Sequence, residues 1–309
     1  MTWHKLCFIC GLSMLLFLPG MADVPAAETA PPVPRIITDD IARFYELYDA
    51  SDGKPSAAAL QDYIDNGSTG LGVLAERRGV TGERIAQSVA DSPEIYENAR
   101  ECIAALPAAN VRLGEALAKL RDIYPQANNP DVTIVIGAGR PVGIAYPETG
   151  VQIGLEALCS IDYFSPDIED RLVGVIAHEY VHVQQNVDLT SESTLLKYAL
   201  VEGIAEFVGE LISGETTFAH FDELTAGRER AIEAEFLEAA DGTDVSDWMF
   251  DGTLETPGDL GYWVGYRIAK AYYAQAEDKD AAVRTMLDMT DATAFLEQSG
   301  WYPGIELDR

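Results

Sequence analysis

Residues 176–185 read IAHEYVHVQQ. The chain has only four histidines, yet His178 and His182 stand four apart and Glu179 directly follows the first. On a helix, residues at that spacing lie on one face, about one turn from each other. Two imidazoles so placed can bind one Zn²⁺ at about 2.0–2.1 Å each. Glu179 can then reach a metal-bound water and act as its general base. A catalytic zinc takes three protein ligands, so a further oxygen or nitrogen donor must come from another element.

The segment LLKYALVEGIAEFVGEL offers that donor. Glu202 and Glu206 stand four apart among Leu195, Ala199, Val201, Ile204, Ala205 and Phe207. A carboxylate on so apolar a helix is costly unless it is paired or metal-bound. Glu202 follows His182 by twenty positions, the span of a helix end, a loop and a returning helix, and Gly203 beside it permits close helix approach. Glu206, one turn on, is placed to hydrogen-bond the free ring nitrogen of His178 or His182.

HEYVH followed twenty residues later by EGIAE resembles the gluzincin, thermolysin-like branch of the zinc metallopeptidases. The phrases HEYVHVQQ, VEGIAEFV and GYWVGYRIAKAYY are also similar to bacterial families of predicted secreted zinc-dependent proteases. The resemblance covers about residues 130–300. It implies a zincin-like domain, Zn²⁺ held by His178, His182 and Glu202, Glu179 as general base, and Glu206 supporting a zinc-bound histidine. It implies a peptide or protein substrate held in extended form along an edge strand, for which GVQIGLEAL, residues 150–158, is the candidate. A tyrosine assists the oxyanion in several gluzincins. Tyr262 is the first candidate here and Tyr266 the second, with aromatic core packing as the competing reading of either. Arg267 can bind a substrate carboxylate or pair with one of the chain's acids. His220 can donate to a transition state, though TTFAHFDEL reads as a helix start.

Those side chains need elements to hold them. Residues 36–126 read mainly as helices, with breaks at NGSTG and Pro107. Val- and Ile-rich stretches punctuated by Gly and Pro predict strands near 132–137, 142–146 and 150–156. Helices are predicted at 167–187, 192–213, 220–240, 259–277 and 280–298. Ser165 is placed to cap the first of these and Pro166 to begin it, and Asp167, Glu169 and Asp170 suit its positive end. The fold class is α+β, predominantly helical, with a small sheet in front of the HEYVH helix. Residues 36–126 form a helical region and 127–309 the zincin-like catalytic domain, or the two form one continuous domain.

The first 22 residues combine His4 and Lys5 with an uncharged apolar run and small residues near Ala22, the pattern of a cleaved secretory signal. Residues 23–35 read as a Pro/Ala-rich disordered linker. Export places the mature chain in the periplasm or outside the cell, with no stable membrane span. Cys7 and Cys10 would leave with the leader, and Cys102 and Cys159 either pair or remain two buried thiols. With 51 acidic against 21 basic residues the net charge is −30, which disfavours nucleic acid as a partner. The competing function is a non-catalytic zinc-containing envelope or binding protein that retains the fold. Glu179 speaks against it, because a structural zinc needs no general base.

Overall fold

The first strand, β1 (Ile36–Ile37), pairs with a partner on the far side of six helices. That partner is β2 (Val132–Val135), aligned in parallel with Ile36 opposite Val132. The computed structural model describes residues 34–253 and 258–307. The leader and most of the linker read from the sequence lie outside the described residues. β3 (Gly143–Tyr146) and β4 (Gly150–Gly154) complete one sheet in the order β1–β2–β4–β3. β4 runs parallel to β2 and antiparallel to β3. Both β2 and β4 are buried throughout, and their side chains are accordingly apolar apart from Thr133 and Gln152. The fold is α+β and predominantly helical.

Helices α1 (Asp39–Ala50), α2 (Ala57–Asp65), α3 (Thr69–Arg78), α4 (Gly82–Asp91), α5 (Pro93–Cys102) and α6 (Leu106–Ile123) lie between β1 and β2. The expected break at NGSTG separates α2 from α3, where the Ser68 hydroxyl accepts the Leu71 N–H and starts the new helix. After the sheet come α7 (Leu155–Ser160), α8 (Ile168–His182) and α9 (Leu195–Ser213). Then follow α10 (Phe221–Thr225), α11 (Glu229–Ala239), α12 (Leu260–Gln275), α13 (Lys279–Leu287) and α14 (Ala292–Gln298). One hydrophobic core runs from Ile41 to Trp301. At its centre α8 lies between α6, α9 and β3, and α12 packs along the far side of α9.

Several boundaries differ from the sequence reading. Asp167, not Ser165, caps α8: its Oδ1 accepts the N–H groups of Glu169 and Asp170 at 2.8 and 3.1 Å. The helix expected over 220–240 is two, parted at Gly227, whose φ of 73° a helix does not allow. The helix expected over 280–298 also divides, because Asp291 caps a fresh start at Ala292, its side chain accepting the Ala294 N–H. The strand expected over 150–156 stops at Gly154 and turns directly into α7. Cys102 and Cys159 form a disulfide that ties the end of α5 to α7. Among the described residues no helix is long and apolar enough to cross a membrane.

Candidate active site

α8 is largely buried, His178 included, while His182 is only partly so, and both histidines line a cavity beside β3. α9 runs against it and delivers Glu202 to the same point. His178 Nε2 lies 3.1 Å from His182 Nε2, His182 Nε2 lies 3.1 Å from Glu202 Oε2, and His178 Nε2 lies 3.4 Å from Glu202 Oε2. Ligands about 2.05 Å from a tetrahedral centre stand about 3.3 Å apart, so this triangle has the edges of a zinc site.

The opposite ring nitrogens explain why the triangle stays open. His178 Nδ1 faces Glu206 Oε2 at 3.1 Å and must donate, because a carboxylate only accepts. His182 Nδ1 faces Gln185 Oε1 at 2.7 Å. The Gln185 amide is oriented by its Nε2, which donates to the Val201 carbonyl at 2.7 Å. With both Nδ1 atoms protonated, both Nε2 lone pairs face the Glu202 carboxylate and each other. Three acceptors around one point require a positive charge between them. Burial disfavours a charged His178, but hydrogen bonds to Glu202 and Glu206 outweigh it and push its pKa up to about 10. Burial likewise opposes a charged Glu202, and the two imidazoles overcome this, holding its carboxyl well below the usual range. The chemistry of the donor set therefore fits a divalent metal, and His178, His182 and Glu202 are the residues that would hold it.

Glu206 is almost fully buried, at 2% exposure. Its oxygens also accept the Thr216 hydroxyl at 2.8 Å, the Thr217 N–H at 2.7 Å and the Thr217 hydroxyl at 2.6 Å. Four donors keep it ionised and fixed beneath His178. Glu179 is half-buried, and desolvation raises its pKa against the pull of His182 and His178. It lies against the start of β3, where a Cβ on Gly143 would stand 2.5 Å from its Oε1. Tyr262 stacks over His178, ring centroids 6.4 Å apart. Burial, then the charges of Glu202, Asp259 and Glu179, hold its phenol protonated far above neutral pH. It is thus a donor among carboxylates at the mouth of the site.

Other candidates fall elsewhere. The Tyr266 hydroxyl donates to Glu210 Oε2 at 2.6 Å and accepts from Lys270 Nζ at 3.1 Å, so it is committed to a part-buried network between α9 and α12. Arg267 holds Glu233 Oε1 and the Ile305 carbonyl, both at 2.6 Å, and so braces the C-terminal segment. His220 packs among Tyr163, Phe164, Phe218 and Phe221. The edge strand beside the site is β3, not 150–158. β4 is hydrogen-bonded on both sides, by β2 and β3, and has no free edge to offer. Gln185, Thr216, Thr217 and Gly143 are the residues that the sequence reading missed. Only Gln185 carried a signal, lying three positions beyond His182.

Residues 111–296 match the family model described as predicted Zn-dependent protease (DUF2268). The chain belongs to that family. The match covers more than half of the chain, runs from α6 to α14 and includes every residue of the His178–His182–Glu202 group. No curated protein and no solved structure matches the chain. The zinc dependence in the family's description agrees with the donor set and the triangle of distances.

Proposed function

We propose that this chain is a zinc-dependent peptidase of gluzincin type, acting in the periplasm or outside the cell on peptide or protein substrates. The observation that carries the reading is Glu179. A half-buried carboxylate with a raised pKa sits beside the metal group and against Gly143, at the start of the edge strand β3. A site that served only to stiffen the fold would have no use for it.

Zinc at such a site supplies Lewis acidity, which lowers a water's pKa towards about 7 and polarises a carbonyl. His178, His182 and Glu202 hold the ion, and Glu206 and Gln185 fix both imidazoles with Nε2 turned inward. The substrate lies extended along β3, pairing with its backbone. Glu179 takes the proton of the attacking water and passes it to the departing amine. The Tyr262 phenol donates to the oxygen on which negative charge develops. The disulfide, the acidic surface and the leader pattern support an extracytoplasmic setting.

Digestion of a diverse peptide library by the wild type and by Glu179→Gln, with mass-spectrometric readout, tests the proposal. New cleavage products are expected with the wild type, and a loss of about 10²–10⁴-fold in the variant with zinc retained. Equal cleavage by both proteins would remove Glu179 from the chemistry.

A further inference from the structure

In a chain with 51 acids and 21 bases an arginine has many carboxylates to pair with. Seven of the fourteen described arginines take one, Arg35, Arg77, Arg100, Arg112 and Arg267 among them. Arg78, Arg84 and Arg140 form no ion pair among the described residues, and all three line the same end of the catalytic cleft. That end holds a cavity of about 410 Å³, within the range of ligand pockets. Phe164, Phe218 and Phe250 contribute its apolar wall, and Glu179 lies at its inner limit.

The arginines are placed rather than merely present. Arg84 Nη1 donates to the Arg78 and Gly79 carbonyls at 2.8 and 2.7 Å, which braces the end of α3 and leaves the rest of the guanidinium unpartnered among the described residues. Arg140 makes one long contact, 3.4 Å, to the Gly252 carbonyl. Arg78 shares the lining of this cavity with Glu179. Besides Glu179, Asp259 is the acid lining this end among the described residues, and its Oδ1 accepts the Asp251 N–H at 2.8 Å.

Strand direction gives the cavity a polarity. Gly143 begins β3 and Tyr146 ends it, with Arg140 three residues ahead of the strand's start. Antiparallel pairing is the more stable arrangement, and an antiparallel substrate brings its C-terminal part to the beginning of β3. We propose that Arg78, Arg84 and Arg140 bind a carboxylate of the substrate on the C-terminal side of the scissile bond, from an Asp or Glu side chain or from the chain end. The proposal rests on the peptidase reading and names the substrate class of the same site.

Binding can be measured without turnover. Zinc-loaded Glu179→Gln would be titrated into fluorescent apolar peptides of four kinds: neutral and amidated, neutral with a free C-terminus, amidated with Glu near the C-terminus, and amidated with Glu near the N-terminus. One or both C-terminal carboxylates should tighten binding about tenfold over the neutral amidated peptide, and Arg78→Gln with Arg140→Gln should reduce that advantage to about twofold. Which peptide gains identifies the source of the carboxylate. Arg84 is left in place because it also supports α3, and unchanged zinc content would verify the fold of the double variant. No gain from either C-terminal carboxylate, the same gain from the N-terminal Glu, or a gain that survives the double replacement would overturn the proposal. If the preference holds but the wild type cleaves none of the four peptides, the carboxylate site stands and the peptidase reading is what fails.

Discussion

Gly203 of α9 lies backbone to backbone against Gly265 of α12, with no room for a Cβ on either residue. The contact sits one residue from Glu202 and three from Tyr262, so the same close approach that joins the helices brings a metal-site carboxylate and a phenol to one place. Gly203→Ala must push α12 away against backbone atoms that cannot yield. A loss of about 2–3 kcal/mol in denaturant unfolding is expected, together with weaker zinc retention. Wild-type stability in Gly203→Ala would show that the helices are not held at this point.

Tyr262 and Tyr266 are four residues apart on one helix, but the structure gives them different neighbours. Tyr262→Phe should lower kcat by about 10²-fold while zinc content stays full, the scale of losing one oxyanion donor. Tyr266→Phe breaks the bond to Glu210 and should leave kcat within about twofold, since the catalytic groups are untouched. Steady-state kinetics on a cleaved library peptide separates the two. Equal effects from both replacements would refute the assignment.

The site was legible where its physics is local. His178, Glu179 and His182 are set by the helical period alone, and Glu202 stands out because a charge on an apolar helix needs a reason. The fold class was legible from periodicity in the same way. The support of Glu206 by Thr216 and Thr217 was not. It depends on Gly214, whose φ of 83° ends α9 and turns the chain back along the helix. The edge position of β3 was equally hidden. Strand order follows from β2 reaching past β3 to pair with β4, and nothing in either strand's own residues announces it.

Thr217 therefore gives a test of indirect support. Thr217→Val removes the hydroxyl that donates to Glu206 Oε2 at 2.6 Å and frees a carboxylate that orients His178. Zinc affinity, measured by competition with a chromogenic chelator, should fall about tenfold, with stability lower by about 1–3 kcal/mol. Unchanged affinity would mean that the three remaining donors to Glu206 suffice.

His220 predicts a pH dependence. Burial among aromatic rings lowers its pKa to about 4. Below about pH 6.5 the unfolded chain takes up a proton there that the folded protein refuses until about pH 4, so this residue's contribution to stability falls as pH drops through that window. His220→Phe keeps the aromatic packing and removes the titration. The difference in Tm between variant and wild type should shift in favour of the variant from pH 7 towards pH 4. A difference that stays constant with pH would exclude a buried neutral imidazole.

Everything rests on a metal ion between His178, His182 and Glu202. Elemental mass spectrometry on protein purified without added metal, with Glu202→Ala beside it, reads this without any substrate. About one zinc per chain is expected in the wild type, and a large loss in the variant. No metal in the wild type, with the fold intact by circular dichroism, would contradict the site and leave three acceptors facing one another around a proton.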